Sequence, residues 1–150
     1  MRVLLQRVKS AQVRVNRQII GQIGSGLVVF LGVTPGDTVQ TAERLADKVG
    51  KLRIFPQDSQ HMSRSVQDIS GSLLIVSQFT LYASVRHGRR PDFHLAAPGE
   101  VAETLYEKFI AACRNQGLFV ATGQFGADMD VELINWGPVT LWLDSQELPG

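Results

Sequence analysis

Two segments of this chain concentrate residues that could do chemistry, SQFT at Ser77 to Thr80 and NWGPVT at Asn135 to Thr140. Acyl transfer needs an activated water or nucleophile, together with donors for the oxyanion that develops on a carbonyl oxygen. Ser77 and Thr80 bring hydroxyls, Gln78 brings amide donors and an acceptor, and the backbone amides around Phe79 and Thr80 are candidate oxyanion donors. Gly137-Pro138 joins a residue without a Cβ to one without an amide hydrogen. Such a bare corner can set main-chain carbonyls against a ligand with no side chain in the way. Taken by themselves, hydroxyls at a strand end commonly satisfy neighbouring backbone groups and Gly-Pro is an ordinary turn, so both alternatives stay open.

Other chemistries find little support. His61, His87 and His94 all sit in polar surroundings, and no G-x-S-x-G elbow is present, so a serine-hydrolase triad is the weaker reading. Gly24 and Gly26 lie between expected strands with no helix after them, which fails the context test for a dinucleotide-binding turn. The His, Cys and Asp residues do not cluster, so no metal site is expected. Arg86, His87, Arg89 and Arg90 form the densest basic cluster, ending at Pro91 and Phe93. Arginine offers planar, paired donors suited to phosphate oxygens, and a solvated basic loop is the alternative.

Elements able to position these groups follow from the hydrophobic pattern. A chain of 150 residues with 44% hydrophobic content fits one domain with a workable core. Val3, Leu5, Ala11, Val13 and Val15 share a phase that Arg7 and Lys9 interrupt, which predicts a long bulged strand. Asn16-Arg17 then separates it from QIIGQIG as a hairpin, and Leu27 to Val33 predicts a strand covered on both faces. Asp37 with Gln40 resembles a capping box for a helix through Val39, Ala42, Leu45, Ala46 and Val49, stopped by Gly50. A second helix is expected from about Pro98 to Gln116. Val101, Leu105 and Phe109 make one row of it, Ala102, Tyr106, Ile110 and Cys113 the next, and Gly117 the stop. Cys113 on that stripe reads as a buried structural thiol. Leu73 to Val76 is a buried strand leading into Ser77, and Gln57 to Gly71 a surface excursion. Apolar alternation before Gly137 (Met129, Val131, Leu133) and after Pro138 (Val139, Leu141, Leu143) predicts two strands joined by the corner.

The formal net charge of +1 is too small for a general nucleic-acid coat, so RNA contact would need a local patch. A single cysteine excludes an internal disulfide framework. The start MRVLLQRV lacks the apolar core of a signal peptide, and no apolar run approaches the roughly 20 residues needed to cross a bilayer. The expectation is a cytoplasmic protein without a membrane segment.

SQFTLYA at Ser77 to Ala83, RRPDF at Arg89 to Phe93, TGQFGADMDVEL at Thr122 to Leu133 and NWGPVT resemble, in order and spacing, the D-aminoacyl-tRNA deacylases. The likeness runs from MRVLLQRVKSAQV through GSGLVVFLGV to the end. It implies hydrolysis of the ester joining a D-amino acid to the terminal adenosine of tRNA, with the substrate's 2′-hydroxyl assisting attack by water. It also implies a homodimer, without metal or organic cofactor, in which a cis Gly137-Pro138 corner enters the other subunit's site as a chirality filter. Ser77, Gln78, Phe79 and Thr80 would then be catalytic, Thr80 having been considered a nucleophile in the family. Phe125, Met129 and Thr140 would join Gly137 and Pro138 in binding substrate, although Phe125 and Met129 alone read as core packing. Arg86, Arg89 and Arg90 would contact tRNA. A steric filter of this kind leaves glycine unrejected, so glycyl-tRNA is a second expected substrate.

The expected architecture is thus a single α/β domain over residues 1–150, with a mixed, partly barrel-like β-sheet and two main packing helices. Trp136 and Ser84 depart from the acidic residues frequent at those places in the family, which bears on substrate range. The rival functions are a non-catalytic nucleic-acid-binding module of the same fold and a small-molecule esterase using Ser77 or Thr80.

Overall fold

A computed structural model describes residues 1–149. Strand β1 (Arg2–Val15) is the spine of the molecule, antiparallel to β2 (Gln18–Ile23), β3 (Gly26–Gly32) and β8 (Asp130–Asp144). Asn16 and Arg17, both with positive φ (49° and 67°), turn β1 into β2. Such a two-residue turn carries the right-handed twist that hairpins favour. Strand β6 (Ser72–Ser77) then lies parallel to β3, and β7 (Phe119–Thr122) parallel to β6. Parallel neighbours need a crossover. Helix α1 (Val39–Lys51) lies on the path from β3 to β6, and α2 (Gly99–Asn115) joins β6 to β7.

The sheet order is β2-β1-β3-β6-β7 with β8 on β1. It curls until β2 meets β7, where a Cβ on Gly21 would stand 2.6 Å from the Thr122 carbonyl oxygen. The expected barrel-like, two-helix α/β domain is therefore the observed one. Strands β3 and β6 are buried on both faces, as their continuous apolar runs require. Leu27, Val29, Leu31, Leu73 and Ile75 pack under the two helices, with Ala42, Leu45, Ala46, Val49, Leu105 and Phe109. Val28, Leu74 and Val76 point the other way, into a second core with Val8, Val13 and Ile23. Cys113 is fully buried and its thiol is pushed by burial up to about 12, as befits a packing residue.

Several local expectations are corrected. The cap of α1 is Thr38, exchanging hydrogen bonds with Thr41. Asp37 is otherwise engaged, accepting from the Met1 ammonium at 2.6 Å and from the Thr34 amide at 2.8 Å. Gly50 lies inside the helix, pressed against Gln116, and does not end it. Val101 is 47% exposed, so the buried stripe of α2 begins at Ala102. Segment 57–71 is not only surface: β5 (Gln60–Arg64) pairs with β4 (Phe55–Gln57), and Val66 is fully buried. Gly26 belongs to β3 rather than to the preceding turn. The two strands expected around Gly137-Pro138 are one: β8 runs on through the corner and pairs with β1 on either side, Val8 opposite Asn135 and Gln6 opposite Thr140. The corner is a bulge in a continuous strand, because β1 supplies hydrogen-bond partners before and after it.

Gly26 shows how closely the parallel strands are seated. A Cβ there would lie 1.9 Å from the Ser72 carbonyl oxygen, so backbone must move to admit it. Gly26→Ala is expected to destabilise the fold by about 1–3 kcal/mol, read as a lowered denaturant midpoint at unchanged slope; an unchanged midpoint would mean that the β3–β6 contact yields freely.

Candidate active site

Strands β3, β6 and β7 are parallel, so their C-terminal ends open at one edge of the sheet, the position where α/β folds gather ligand groups. A cavity of about 480 Å³ lies there. Leu31 and Val33 leave β3, Val76 to Phe79 leave β6, and Phe125 to Ala127 follow β7. Ala96 and Ala97, the start of α2 at Gly99 and Ala102, and Met129 and Val131 complete the lining. None of these side chains titrates: among the described residues the wall holds no carboxylate, imidazole, thiol or amine.

Its polar groups come from the exit of β6. Ser77 still pairs in the parallel ladder, opposite Leu31. Gln78 donates its backbone N–H to the Leu31 carbonyl at 2.8 Å, which fixes where the strand gives way to a 3-10 turn over Phe79–Tyr82. The first amides of such a turn have no partner within it. Among the described residues neither the Phe79 nor the Thr80 N–H meets an acceptor. Thr80 is exposed, and its hydroxyl oxygen accepts from the Gln78 side-chain amide. An amide donor cannot take a proton from that hydroxyl, so Gln78 orients Thr80 without activating it. The three histidines are exposed, and His94 pairs with Asp92 at 2.8 Å.

The far wall is held by packing. Gly123 donates its N–H to the Ile75 carbonyl, and a Cβ on it would stand 2.6 Å from the Met129 sulfur. Gly126, with φ of 75°, lets the loop return toward β8. Phe125 leans on Tyr106 at 5.7 Å, and the Tyr106 hydroxyl donates to the Ile75 carbonyl at 3.0 Å. Phe125 and Met129 therefore line the cavity while also touching the cores, so the ligand and packing roles assigned to them are compatible.

Gly137, Pro138 and Thr140 are not part of this wall. They stand exposed on the bulge of β8, with the Gly137-Pro138 peptide cis. Sequence reading missed the residue beneath them. Arg7, which interrupts the apolar phase of β1, is only 7% exposed. Its Nε donates to the Trp136 carbonyl at 2.9 Å, its Nη1 to the Ile54 carbonyl at 2.6 Å, and its guanidinium lies 4.6 Å from the Trp136 ring centroid. Trp136 packs edge-on against Phe55. Burial lowers the Arg7 pKa, and among the described residues no carboxylate pairs with it. From the other side, Asn135 accepts from the Val139 N–H at 2.9 Å and donates to the Thr140 hydroxyl, which Gln6 also holds at 3.1 Å. The signal available in the sequence was a cation at an inward phase of a strand.

Arg86, Arg89 and Arg90 are exposed on one loop between the 3-10 turn and the cavity-lining Ala96, closed at its base by paired hydrogen bonds between Ser84 and Asp92 at 2.7 and 2.8 Å. Among the described residues there is no group of three or more metal-ligating side chains, and no helix is long and apolar enough to cross a membrane.

The chain resembles known proteins over nearly its whole length. A sequence model described as D-Tyr-tRNA(Tyr) deacylase matches residues 4–144. A D-aminoacyl-tRNA deacylase of Herpetosiphon aurantiacus is 54% identical over 98% of this chain and 96% of its own, and one of Bacillus pumilus is 51% identical over 98% and 100%. Among solved structures, one titled c-Myc DNA Unwinding Element Binding Protein superposes with a TM-score of 0.89 at 41% identity, covering 96% of this chain and 98% of that one. A probable eukaryotic D-amino acid tRNA deacylase shares the fold at 20% identity, with a TM-score of 0.82 over 95% and 97% of the two chains.

Arg7 carries the corner, so replacing it tests that support. Arg7→Ala is expected to lower stability by about 1.5–3 kcal/mol per charged hydrogen bond lost. Arg7→Lys should recover only part, since one ammonium lacks the planar fork that reaches both carbonyls. Chemical denaturation of the two variants checks this; full recovery by lysine would show that charge alone matters.

Proposed function

Since the chain belongs to the D-Tyr-tRNA(Tyr) deacylase family, we propose that it hydrolyses the ester bond of D-aminoacyl-tRNA, releasing free D-amino acid and tRNA. It is a hydrolase of aminoacyl-tRNA esters, a proofreader of chirality in translation, working where tRNA is charged, in the cytoplasm. The observation that carries the mechanism is a cavity with no titratable side chain, lined in part by Phe79, whose N–H and that of the adjoining Thr80 meet no acceptor among the described residues.

The ester carbonyl sits at the exit of β6, its oxygen facing the Phe79 and Thr80 N–H groups. Water attacks the carbonyl carbon, assisted by the 2′-hydroxyl of the terminal ribose. Charge gathers on the carbonyl oxygen, where the preoriented amides stabilise it. The C–O bond to the 3′-oxygen then breaks, and the proton from water ends on that oxygen. Gln78 and Thr80 position the ester, with Ser77 beside them. Phe125 and Met129 hold the apolar faces of the adenosine and aminoacyl groups. This assignment leaves the nucleophile to water, because Thr80 has a donor and no base beside it.

Discrimination belongs to Gly137-Pro138. The corner is exposed and lies outside its own chain's cavity, which suits insertion into the cavity of a second copy in a homodimer. An L side chain would meet the inserted carbonyls and a D side chain would point away. Thr140 braces the corner through Asn135. Glycine has no side chain to reject, so glycyl-tRNA is a substrate as well. Arg86, Arg89 and Arg90 contact phosphates of the acceptor end. The rival, a nucleic-acid-binding module without turnover, shares the arginine loop but gives no role to the open amides.

Release of amino acid from matched D-tyrosyl-, L-tyrosyl- and glycyl-tRNA is the direct assay. Rapid release from the D and glycyl esters, untouched by chelator and absent from the L ester, is expected; tRNA binding with no release from any of them would select the binding module. Gly137→Ala tests the filter separately. Its Cβ would lie 2.9 Å from Arg7 Nη2 and 2.8 Å from Val139 Cγ2 at φ of 135°, so the corner must shift. The D-over-L preference should fall by about tenfold or more, a loss of at least about 1.4 kcal/mol of discrimination. Mixing this variant with a Thr80→Ala subunit should restore D-selective release through the one hybrid site that is intact; a fully active monomer would remove the cross-subunit filter.

A further inference from the structure

The side chains of the aromatic pair Phe79 and Phe93 have no role in the chemistry above. Phe79 lends its backbone N–H to the site, yet its side chain is 54% exposed at the cavity rim. The Phe93 ring lies 4.9 Å from it, tilted by 67°. Phe93 sits at a junction. On one side of it the chain carries the exposed Arg86, Arg89 and Arg90. On the other, Ala96 donates back to the Phe93 carbonyl at 3.0 Å and Ala97 donates to the Val33 carbonyl at 2.9 Å, so the same segment becomes cavity wall. The sequence thus runs from basic loop to aromatic ring to cavity within eleven residues, Arg86 to Ala96. The Ser84–Asp92 bridge keeps the base of the loop closed beside the rings. Asp92 is the acidic side chain nearest in sequence to Phe93, and its carboxylate is already taken, accepting from the His94 backbone N–H at 2.8 Å and facing His94 Nδ1 at 2.8 Å.

We propose that Phe79 and Phe93 form a stacking subsite for the base of the nucleotide preceding the terminal adenosine, a cytidine in tRNA, with the loop arginines on the phosphates beside it. Exposed aromatic faces beside arginines are the combination by which proteins hold single-stranded nucleic acid. The acceptor end is single-stranded, and its next base must leave the cavity wherever its phosphate does. An exposed phenyl at the mouth gives that base an apolar face, and the edge-on Phe93 keeps the Phe79 ring from turning inward. This subsite rests on the deacylase function for the choice of ligand, but it is read through binding alone.

The test compares two ligands of equal charge on the full chain by titration calorimetry: the dinucleotide CpA and adenosine 5′-methylphosphate, which keeps the phosphodiester and lacks the second nucleoside. CpA is expected to bind about 5- to 150-fold tighter. Phe93→Leu should bring that ratio close to one, and Phe79→Leu, which keeps the backbone N–H, should do the same if the first variant folds poorly. The ratio should hold as salt is raised while both affinities fall, since stacking is not screened and the arginine contacts are. Equal affinity of the two ligands for the unaltered chain, or a ratio that survives both substitutions, overturns the subsite. Release from D-tyrosyl-tRNA with no preference for CpA removes the subsite alone. A CpA preference lost with Phe93, in a chain that releases no amino acid, keeps the subsite and removes the hydrolytic function.

Discussion

Strand β6 is hydrogen-bonded on both edges and buried on both faces, and the rest of the site depends on that confinement. Its neighbours β3 and β7 run parallel to it. Leu73 and Ile75 face the helices while Leu74 and Val76 face the barrel interior. A strand held so completely cannot slip, because a shift by one residue would exchange the two apolar faces and break both ladders. The position at which it ends is therefore fixed, and at that position the chain turns through Gln78 and leaves two amides without partners. Backbone groups make useful catalytic donors only when the surrounding fold prevents them from finding another acceptor. Here the sheet supplies that constraint, and the Ile75 carbonyl, bound by Tyr106 and Gly123, ties the opposite wall to the same strand.

A second constraint runs through Arg7. A buried guanidinium without a carboxylate keeps its full charge in a place where charge is expensive, and its compensation comes from two carbonyl oxygens and an aromatic face. The cost of moving either carbonyl is then large, since a charged donor would be left unpaired. Trp136 and Ile54 are consequently fixed with respect to β1, and the bulge carrying Gly137-Pro138 inherits that rigidity. Trp136 serves the support beneath the corner, between Phe55 and Arg7.

Much of this was legible in the sequence where local patterns and global packing coincide. The doubly covered strands, the hairpin at Asn16-Arg17 and both helices announce themselves because their burial has a regular period. Ser77 to Thr80 was visible as a polar exit from an apolar strand. What escaped was governed by partners remote in sequence. Asp37 looks like a cap until the Met1 ammonium occupies it; Gly50 looks like a stop until Gln116 is packed on it; Val66 looks like part of a surface loop until the core reaches it. Arg7 is the sharpest case. A cation on an apolar face normally argues against a strand, and only the carbonyls of residues 54 and 136 reverse that argument. The continuity of β8 through Gly137-Pro138 escaped for the same reason, since it depends on β1 lying alongside both halves.

A site built from backbone and apolar walls also limits how an enzyme can select. A side chain that donates or accepts can recognise a substituent by pairing with it, and discrimination by an unpaired group is strong. This cavity has few such groups, and the substituent that matters, the side chain of the amino acid, differs between enantiomers only in direction. Rejection by contact is the remaining device, and it works only if the contacting surface does not yield. Arg7, Asn135 and Thr140 brace the corner from opposite sides, which gives it that stiffness. In the proposed mechanism the oxyanion donors and the chiral filter thus stand on different elements, each fixed by its own buried anchor. The charge that develops during ester cleavage and the handedness of the substrate can accordingly be handled by separate parts of the molecule, with no side chain required to serve both.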